Sequence, residues 1–350
     1  MKTVTVEYIW LGGHGEIRSK TRVLNNINNR QVELKDIPEW NYDGSSTCQA
    51  TGEASEIILK PCSIFKNPLL YNTYNIKTIV EGYLVVCDTY DSNDKACETN
   101  NREWANTLFN MKLKEEPWFG LEQEYFVIKN DNIHEFQDSV TNMKSQGAYY
   151  CGNDYIDGNY GKLISEHHLY ACIHAGIKIS GKNEEVAPCQ WEYQIGPCLG
   201  IETGDHMIAS RYLLQVIAEN NKCSICWEPK PLKGDWNGSG CHTNYSTKNM
   251  RDGTKHKKGV NYIYDAIDKL KNKHDYHMQH YGKDNEQRMT GEHETSSYKK
   301  FTFDVANRGC SVRVGNETVK NEKGYFEDRR PSSNCDPYLV TGLIFKTTCL

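Results

Sequence analysis

Long apolar runs are missing from this 350-residue chain. No run approaches the roughly 20 apolar residues that a membrane-spanning helix needs, so we expect no membrane partner. The first six residues lack the apolar core of a secretory signal peptide, and we expect a cytoplasmic protein. An excess of basic residues is missing too, because the formal net charge is -5. This charge disfavours a general nucleic-acid or anionic-membrane binder.

Several familiar signatures are also absent. The sequence has no Walker loop and no kinase Asp-Phe-Gly motif, so neither of those nucleotide-binding families is indicated. The 14 cysteines are scattered, and the close pair Cys223 and Cys226 has no second pair at zinc-finger spacing. A chain of this length does not need disulfides to stabilise a core, so we expect free thiols.

The first ninety residues alternate apolar and polar positions as strands do, at 4–10, 22–24, 57–59 and 83–87. The Asn-rich run 25–29 is typical of a loop, and the polar stretch 91–101 is typical of a linker. These patterns predict a small sheet-rich domain at residues 1–95. Mixed helices and strands follow, which predicts a larger second domain at residues 96–350.

Helices and strands alternate in the second part. Two sets of mostly apolar residues recur at helical spacing: Leu163, His167, Tyr170, Ile173 and Ile177, then Val260, Ile263, Tyr264, Ile267 and Leu270. Asp205 is a predicted cap for a helix that contains Met207, and Asp336 with Pro337 predicts the start of a final helix. Short strands are predicted at 121–128, 191–195 and 310–314.

Glutamates are concentrated in two of these strands. Glu122 and Glu124 are two residues apart, so their side chains share one face of a strand. Glu192 lies on the polar face of another strand, and Glu185 precedes it by seven residues. Neighbouring carboxylates repel unless a proton or cation lies between them. The alternative is that these side chains simply face water.

Glycine and arginine supply further candidates. The glycine-rich loop 233–246 suits close backbone approach to a ligand and contains His242, a plausible metal ligand. Arginines are frequent in the last third, at 288, 308, 313, 329 and 330. Carboxylates, metal and arginines together suit phosphoryl transfer. Surface ion pairs are the alternative explanation for the arginines.

Seven longer segments share an order with one known family. They are WNYDGSST at 40–47, PWFGLEQEY at 117–125, EVAPCQWEYQIGP at 185–197, WNGSGCHTN at 236–244, TGEHET at 290–295, ANRGCSVR at 306–313 and YFEDRRPSSNCDP at 325–337. Together they span nearly the whole chain and resemble glutamine synthetase of the eukaryotic type. The resemblance implies an α+β fold with a small β-grasp N-terminal domain and a larger α/β catalytic domain.

The resemblance also implies a reaction. ATP would phosphorylate the side-chain carboxylate of L-glutamate, and ammonia would displace the phosphate to give L-glutamine, ADP and phosphate. Two anions must meet in such a site, which is why it needs metal ions and arginines. Two or more Mg²⁺ or Mn²⁺ ions per site are implied, with ATP as co-substrate.

Site residues follow by the same resemblance. One metal ion would be held by Glu124, Glu185 and Glu192, and the second by Glu122, His242 and Glu327. Glutamate would contact Trp236, Asn237, Gly238, His242, Arg288, Arg308 and Arg329. The nucleotide would contact Glu122, Glu192, Asn244, Ser246, Arg308, Arg313 and Tyr325. The catalytic residues would be Asp43, which binds and deprotonates ammonium, Glu294 on a flap that excludes water, and Arg308 and Arg329.

The implied assembly is a double-ring homo-oligomer, a decamer of two pentamers, in which Asp43 enters the site of the adjacent subunit. Two departures from the family pattern affect other positions: Asn67-Pro68-Leu69-Leu70 stands where relatives carry an Asp-Pro-Phe-Arg run, and Asn316 stands where an arginine is usual. Two other functions stay open. One is a ligase that joins glutamate to an organic amine, which the anionic Asp43 disfavours. The other is a non-catalytic homologue kept for assembly or regulation.

Overall fold

The computed structural model describes residues 2–27, 31–71, 81–129, 149–152 and 160–350. Its strands are β1 Lys2–Leu11, β2 Ile17–Ile27, β3 Trp40–Asp43, β4 Glu56–Lys66, β5 Glu81–Asp91, β6 Trp118–Lys129, β7 Ile179–Glu184, β8 Gln190–Leu199, β9 Cys223–Cys226, β10 Cys241–Ser246, β11 Phe303–Val305, β12 Val312–Val314 and β13 Phe326–Asp328. Its α-helices are α1 Asn101–Met111, α2 Tyr160–Ala175, α3 Glu202–Asn220, α4 Lys248–Asp252, α5 Gly259–Asn272, α6 His274–Met278, α7 Asn316–Lys320 and α8 Pro337–Cys349. The predicted α+β class is confirmed.

The first ninety residues form a sheet in the order β2-β1-β5-β4-β3, as far as the chain is described. β1 and β5 run parallel at its centre, and the other neighbours are antiparallel. The four strands predicted here are confirmed. The loop predicted at 25–29 is wrong for Asn25, which continues β2 and accepts a hydrogen bond at Oδ1 from Thr3 Oγ1 at 3.0 Å.

Alternation along β1 and β5 directs side chains to two different cores. Val6 and Tyr8 are buried in a cluster with Val32 and Ile37. Ile9 and Leu84 face the other way and are buried in the same cluster as Ile208 of α3. The first sheet and the helices therefore share a core, and the domain boundary between residues 95 and 96 stays a prediction.

The second sheet has the order β11-β12-β13-β10-β6-β8-β7, with β9 paired to the far end of β6. The strands predicted at 121–128 and 191–195 are confirmed as parts of β6 and β8. The strand predicted at 310–314 is only partly right, because β12 begins at Val312. One face of this sheet carries the acidic residues considered below.

Two of the predicted helix features are confirmed. Val260, Ile263, Ile267 and Leu270 are buried along α5. Asp336 caps α8 as predicted, because its Oδ1 accepts from the backbone N–H of Tyr338 at 2.8 Å.

The apolar stripe predicted for α2 is on the wrong face. The helix exists, but Leu163, Tyr170 and Ile173 are exposed. Its buried face is made of small residues, such as Gly161 and Ala171, together with Ile164. Small residues let the helix approach the sheet closely: a Cβ at Gly161 would lie 2.4 Å from Trp191 Nε1. The face of α2 that packs against the sheet is therefore the one with small side chains. A prediction from hydrophobicity alone chose the opposite face.

Asp205 is not the cap of α3, which begins three residues earlier, at Glu202. Its buried carboxylate accepts from Arg102 Nε at 2.7 Å and from Tyr338 Oη at 2.8 Å. The same guanidinium reaches Asp88 of β5 at 3.1 Å. Asp205 is therefore part of a buried charge network that joins the first sheet to the helices.

All 14 cysteines are free thiols, as predicted. Cys223 and Cys226 lie in β9 and pack against the apolar cores. Among the described residues, no helix is both long enough and apolar enough to cross a membrane.

Candidate active site

Strand register brings the acidic residues together on one face of the second sheet. Glu124 of β6 lies opposite Glu192 of β8, and Glu122 of β6 lies opposite His242 of β10. Glu327 lies on β13, the next strand after β10. These five side chains line a single cavity of about 240 Å³. The shared orientation predicted for Glu122 and Glu124 agrees with this arrangement.

Glu122, His242 and Glu327 form the tighter of two acidic groups. His242 Nδ1 lies 3.5 Å from Glu122 Oε2 and 3.5 Å from Glu327 Oε1. One donor atom from each of the three residues lies within 4.8 Å of the others. Burial, reinforced by the charge of Arg329, holds the pKa of His242 well below its usual range. A neutral imidazole has a lone pair to offer to a cation.

Glu124, Glu185 and Glu192 form the second group. Glu124 Oε2 accepts from the backbone N–H of Gly240 at 2.9 Å and from Gln190 Nε2 at 3.2 Å. Burial raises the pKa of Glu124 to about 8, that of Glu185 to about 7 and that of Glu192 to about 9, and repulsion between carboxylates adds to it. Such a group holds protons or a cation near neutral pH.

The donors of both groups fit a hard divalent cation. Five carboxylates and one neutral imidazole converge on one cavity, and carboxylate oxygens are the ligands that Mg²⁺ and Mn²⁺ prefer. Burial, with repulsion between the carboxylates, raises the pKa values of Glu124, Glu185 and Glu192, and a cation among them would offset that repulsion. These residues can therefore hold metal ions.

A third cluster has metal-type residues but the wrong hydrogen bonds. Donor atoms of Cys198, Glu202 and His206 lie within 4.8 Å of one another. His206 Nδ1 accepts from the backbone N–H of Lys178 at 3.0 Å, so the ring proton sits on Nε2 and faces Glu202. A metal-binding imidazole shows the reverse arrangement, with its second nitrogen donating. We interpret this cluster as structural.

Arg288 is a buried cation beside the acids. Its Nη2 donates to the backbone carbonyls of Arg329 at 3.1 Å and Arg330 at 2.8 Å. Burial lowers the pKa of Arg288 to about 10. Backbone carbonyls fix the guanidinium without neutralising it, so a positive charge faces the cavity.

Arg313 and Arg329 both bind the same carboxylate. Arg313 Nε lies 2.5 Å from Glu327 Oε2, and Arg329 Nη1 lies 2.8 Å from Glu327 Oε1. Arg308 lies nearer the exit, with Nη1 3.8 Å from Glu294 Oε2. Arginine forks of this kind suit carboxylate and phosphate oxygens.

The glycine-rich loop passes close to the buried arginine. A Cβ at Gly238 would lie 2.3 Å from the carbonyl oxygen of Pro229 and 2.5 Å from Arg288 Cγ. Glycine at 238 therefore lets the backbone reach the cavity, which Asn237 and Gly238 both line.

Segment 290–297 lines one side of the cavity through His293, Glu294 and Thr295. Its ends pair through a bridge between Thr290 and Ser297. At its tip His293 and Glu294 both have positive φ angles, of 53° and 60°. His293 Nε2 lies 3.5 Å from Asp235 Oδ1, across the opening on the glycine-rich loop. Strained residues cluster at ligand clamps and switch regions, and the predicted role of this segment as a lid stays a prediction.

Comparisons with known proteins agree with this geometry. The family model described as glutamine synthetase, catalytic domain, matches residues 102–274. A putative glutamine synthetase of Acanthamoeba polyphaga mimivirus is 49% identical over 344 residues, which cover 98% of this chain and 94% of that protein. The chain belongs to the glutamine synthetase family. Glutamine synthetase cytosolic isozyme 1-1 of rice (Oryza sativa subsp. japonica) is 47% identical and a chloroplastic glutamine synthetase of Zea mays is 49% identical, over 99% of this chain and 94% and 79% of those proteins.

Most of the predicted site residues lie together in the structure. Thirteen of them line the single cavity: Glu122, Glu124, Glu185, Glu192, Asn237, Gly238, His242, Arg288, Glu294, Arg308, Arg313, Glu327 and Arg329. The structure therefore brings together all six predicted metal ligands and the predicted glutamate arginines. The roles assigned to them stay predictions.

Five predicted residues do not line this cavity as it is described. Asn244 is adjacent, and its Nδ2 donates to Glu122 Oε1 at 2.7 Å. Trp236 is buried in an apolar cluster. Ser246 Oγ accepts from Arg251 Nη1 at 3.0 Å, and Tyr325 is exposed.

Asp43 is the fifth. It is exposed at the end of β3, and its Oδ1 accepts from the backbone N–H of Ser45 at 3.0 Å. Hydrogen bonds, led by that of the Ser45 hydroxyl, lower the pKa of Asp43 to about 2. Asp43 is therefore ionised at neutral pH, and it does not line the cavity of its own subunit.

Sequence reasoning missed several residues that line the cavity: Tyr150, Gln190, Gln194, His293 and Thr295. A signal existed for two of them. Gln190 and Gln194 flank Glu192 at a spacing of two on the same strand, so strand alternation already places them on the same face. Gln194 donates to Glu192, and Gln190 donates to Glu124.

Proposed function

We propose that the protein is a glutamate–ammonia ligase that uses ATP to convert L-glutamate and ammonia into L-glutamine, ADP and phosphate. One observation carries the proposal: a cavity lined by six carboxylates, the neutral histidine His242 and four arginines. A free carboxylate is a poor acyl donor, and phosphorylation by ATP supplies a leaving group that ammonia can displace. Membership of the glutamine synthetase family supports the same reaction.

Glu124, Glu185 and Glu192 would hold one Mg²⁺ or Mn²⁺ ion, and Glu122, His242 and Glu327 would hold another. When bound, the cations neutralise phosphate charge and orient the transferred group. The low pKa of His242 supports this assignment, because the ring is neutral without having to lose a proton first.

The arginines would hold the anionic reactants. Arg288 is fixed by backbone carbonyls and would bind a carboxylate of glutamate beside Asn237 and Gly238. Arg308 and Arg329 would neutralise the side-chain carboxylate as it becomes an acyl phosphate.

We place the nucleotide at the end of the cavity near β10 and β13, with ATP as co-substrate. Tyr245 and Phe326 are paired across these strands, so Ser246 and Tyr325 lie at the same end. Asn244 and Arg313 lead from that end to the acids. Glu122 and Glu192 would contact the nucleotide from inside the cavity.

Glu294 and Asp43 complete the proposal. Glu294 lies on segment 290–297 and would shield the acyl phosphate from water. Hydrolysis of the acyl phosphate would consume ATP without forming glutamine. Asp43 would bind and deprotonate ammonium in the site of a neighbouring subunit, which fits an exposed anion outside its own cavity. We therefore propose a double-ring homo-oligomer, a decamer, in the cytoplasm.

The test is a four-component turnover assay of the purified protein. Phosphate release and amide formation are measured with ATP, Mg²⁺, L-glutamate and NH₄Cl, omitting each in turn. We expect turnover only with all four, and glutamine as product. Phosphate release that requires an organic amine in place of ammonium favours the variant ligase, and an intact metal-bound oligomer without turnover favours the non-catalytic homologue.

Matched variants sharpen the assay. Glu327→Ala removes a cavity acid, whereas Glu322→Ala removes an exposed one that pairs with Lys258. We expect Glu327→Ala to lower metal-dependent turnover by at least about 100-fold, because losing even the outer partners of metal ligands costs about 10–100-fold. Full activity in Glu327→Ala sinks the metal assignment.

A further inference from the structure

A second concave site lies on the surface, away from the carboxylate cavity. It has a volume of about 540 Å³ and lies between the end of α5 and the segment 299–301. Lys271 and Lys273 form one wall, and Lys299 and Lys300 form the other. The two sites share none of their lining residues.

Positive charge is concentrated in this pocket. Four lysines line it with a single acid, Asp275, in a protein whose net charge is -5. Across the described part of the chain, no carboxylate lies within 4.0 Å of any of the four Nζ atoms. Lys271 lies in the last turn of α5, where the negative end of the helix dipole favours a positive charge. Lys299 and Lys300 belong to a separate segment, so the dipole does not explain them. The convergence of the two pairs therefore needs another explanation.

The two walls are tied together by His274. Its Nε2 donates to the carbonyl oxygen of Tyr298 at 2.9 Å, and its Nδ1 accepts from Arg330 Nη1 at 3.2 Å. The ring of Phe301 packs edge-on against the His274 ring, with centroids 5.8 Å apart. The pocket is thus held open between fixed walls and does not depend on a loose loop.

Buried charge behind the pocket is already balanced. Arg330 is fully buried and paired with Asp328 at 2.6 Å. The positive field at the opening therefore comes from the lysines, whose Nζ atoms can turn toward a ligand.

We propose that this pocket binds a small anion that carries two or more phosphate groups. Lysine ammonium groups are flexible point charges that suit phosphate, and four of them around one opening match several phosphates better than a single one. The overall negative charge of the protein does not suit an extended nucleic acid. This site is independent of the proposed ligase reaction.

The test is calorimetric titration of the full-length protein with inorganic tripolyphosphate in metal-free buffer. The Lys299→Gln/Lys300→Gln variant is compared with Lys114→Gln/Lys255→Gln, which removes two exposed lysines elsewhere in the chain. We expect the first pair of changes to weaken tripolyphosphate binding by at least about tenfold and the second pair to leave it unchanged. We also expect binding to weaken as salt is raised.

Three further measurements make the outcome decisive. Lys299→Arg/Lys300→Arg keeps the charge and should keep the binding, which separates charge from misfolding. Turnover with ATP, glutamate and ammonium should stay within about twofold in Lys299→Gln/Lys300→Gln, which separates this site from the carboxylate cavity. Equal tripolyphosphate affinity in the Gln variant and its control overturns the proposal, as does tighter binding of an oligoglutamate peptide than of tripolyphosphate.

Discussion

Arg329 and Glu327 form a buried ion pair two residues apart, with Nη1 2.8 Å from Oε1. Arg313 holds the other oxygen of the same carboxylate. A carboxylate that we assign to a metal ion is therefore held by two cations of the protein when no metal is bound. A metal ion held by Glu327 would compete with both guanidinium groups for its oxygens, and the arginines would then be available to anionic reactants.

This pairing predicts that metal and glutamate bind cooperatively. Saturating Mg²⁺ should tighten L-glutamate binding by at least about fivefold, the lower end of typical coupling between sites. Isothermal titration of glutamate with and without Mg²⁺ measures the effect, and Ca²⁺ serves as a second cation for comparison. Equal dissociation constants in the two titrations contradict the pairing as a linkage between the sites.

The clustered acids predict an unusual pH dependence of stability. Burial raises the pKa of Glu124 to about 8, Glu185 to about 7 and Glu192 to about 9, well above the roughly 4.3 of an unfolded glutamate. Between these values the folded state binds more protons than the unfolded state, so stability falls as pH rises. Above pH 6.5, where an unfolded histidine is mostly neutral, buried His242 no longer opposes this trend.

We therefore expect the melting temperature of the metal-free protein to fall from pH 6.5 to pH 9. Saturating Mg²⁺ or Mn²⁺ should raise the melting temperature and make it depend less on pH. At a metal concentration 100 times the dissociation constant, the free energy of unfolding should increase by about 2.7 kcal/mol. Glu192→Gln should reduce both the slope and the gain from metal. A metal-free melting temperature that rises over this range rejects the raised pKa values.

The contact between His293 and Asp235 predicts how tightly ATP consumption is coupled to glutamine formation. His293 and Glu294 hold positive φ angles, each costing about 1–3 kcal/mol, and Asp235 is one of the groups that hold the tip in place. Asp235→Asn should raise the phosphate released per glutamine formed, because water reaches the acyl phosphate when the lid is loose. Asp235→Glu should restore part of the coupling. An unchanged ratio in Asp235→Asn means that the lid does not depend on this contact.

The Arg102 network predicts a large loss of stability. Arg102 pairs with Asp205 at 2.7 Å and with Asp88 at 3.1 Å, and both carboxylates are buried. Arg102→Met should lower the free energy of unfolding by about 3–5 kcal/mol, because two buried carboxylates lose their cation. Urea denaturation against the exposed control Lys95→Met measures it. A loss below about 1 kcal/mol shows that the network relaxes.

Sequence reasoning succeeded where the signal was local. The spacing of two between Glu122 and Glu124 places them on one face whatever their neighbours are. It could not give the register that sets Glu124 opposite Glu192, because strand pairing depends on the whole sheet. Register is what turns separate glutamates into a cavity.

The errors have a common physical cause. Asp205 has the composition of a helix cap, yet Arg102, 103 residues earlier in the chain, draws it into the core. Leu163 has the hydrophobicity of a core residue, yet the small side chains on the opposite face of α2 pack more closely. In both cases a long-range contact decided the outcome, and no local pattern carries that information.

The transfer of ¹⁸O from glutamate to phosphate tests most directly whether the side-chain carboxylate is activated as an acyl phosphate. L-Glutamate labelled with ¹⁸O in both oxygens of its side-chain carboxylate is turned over with ATP, Mg²⁺ and NH₄Cl, and the phosphate is analysed by mass spectrometry. If the carboxylate attacks ATP and ammonia then displaces phosphate, each phosphate formed with glutamine carries one ¹⁸O. Glutamine formed alongside unlabelled phosphate contradicts an acyl phosphate, and with it the roles given to the metal ligands and arginines.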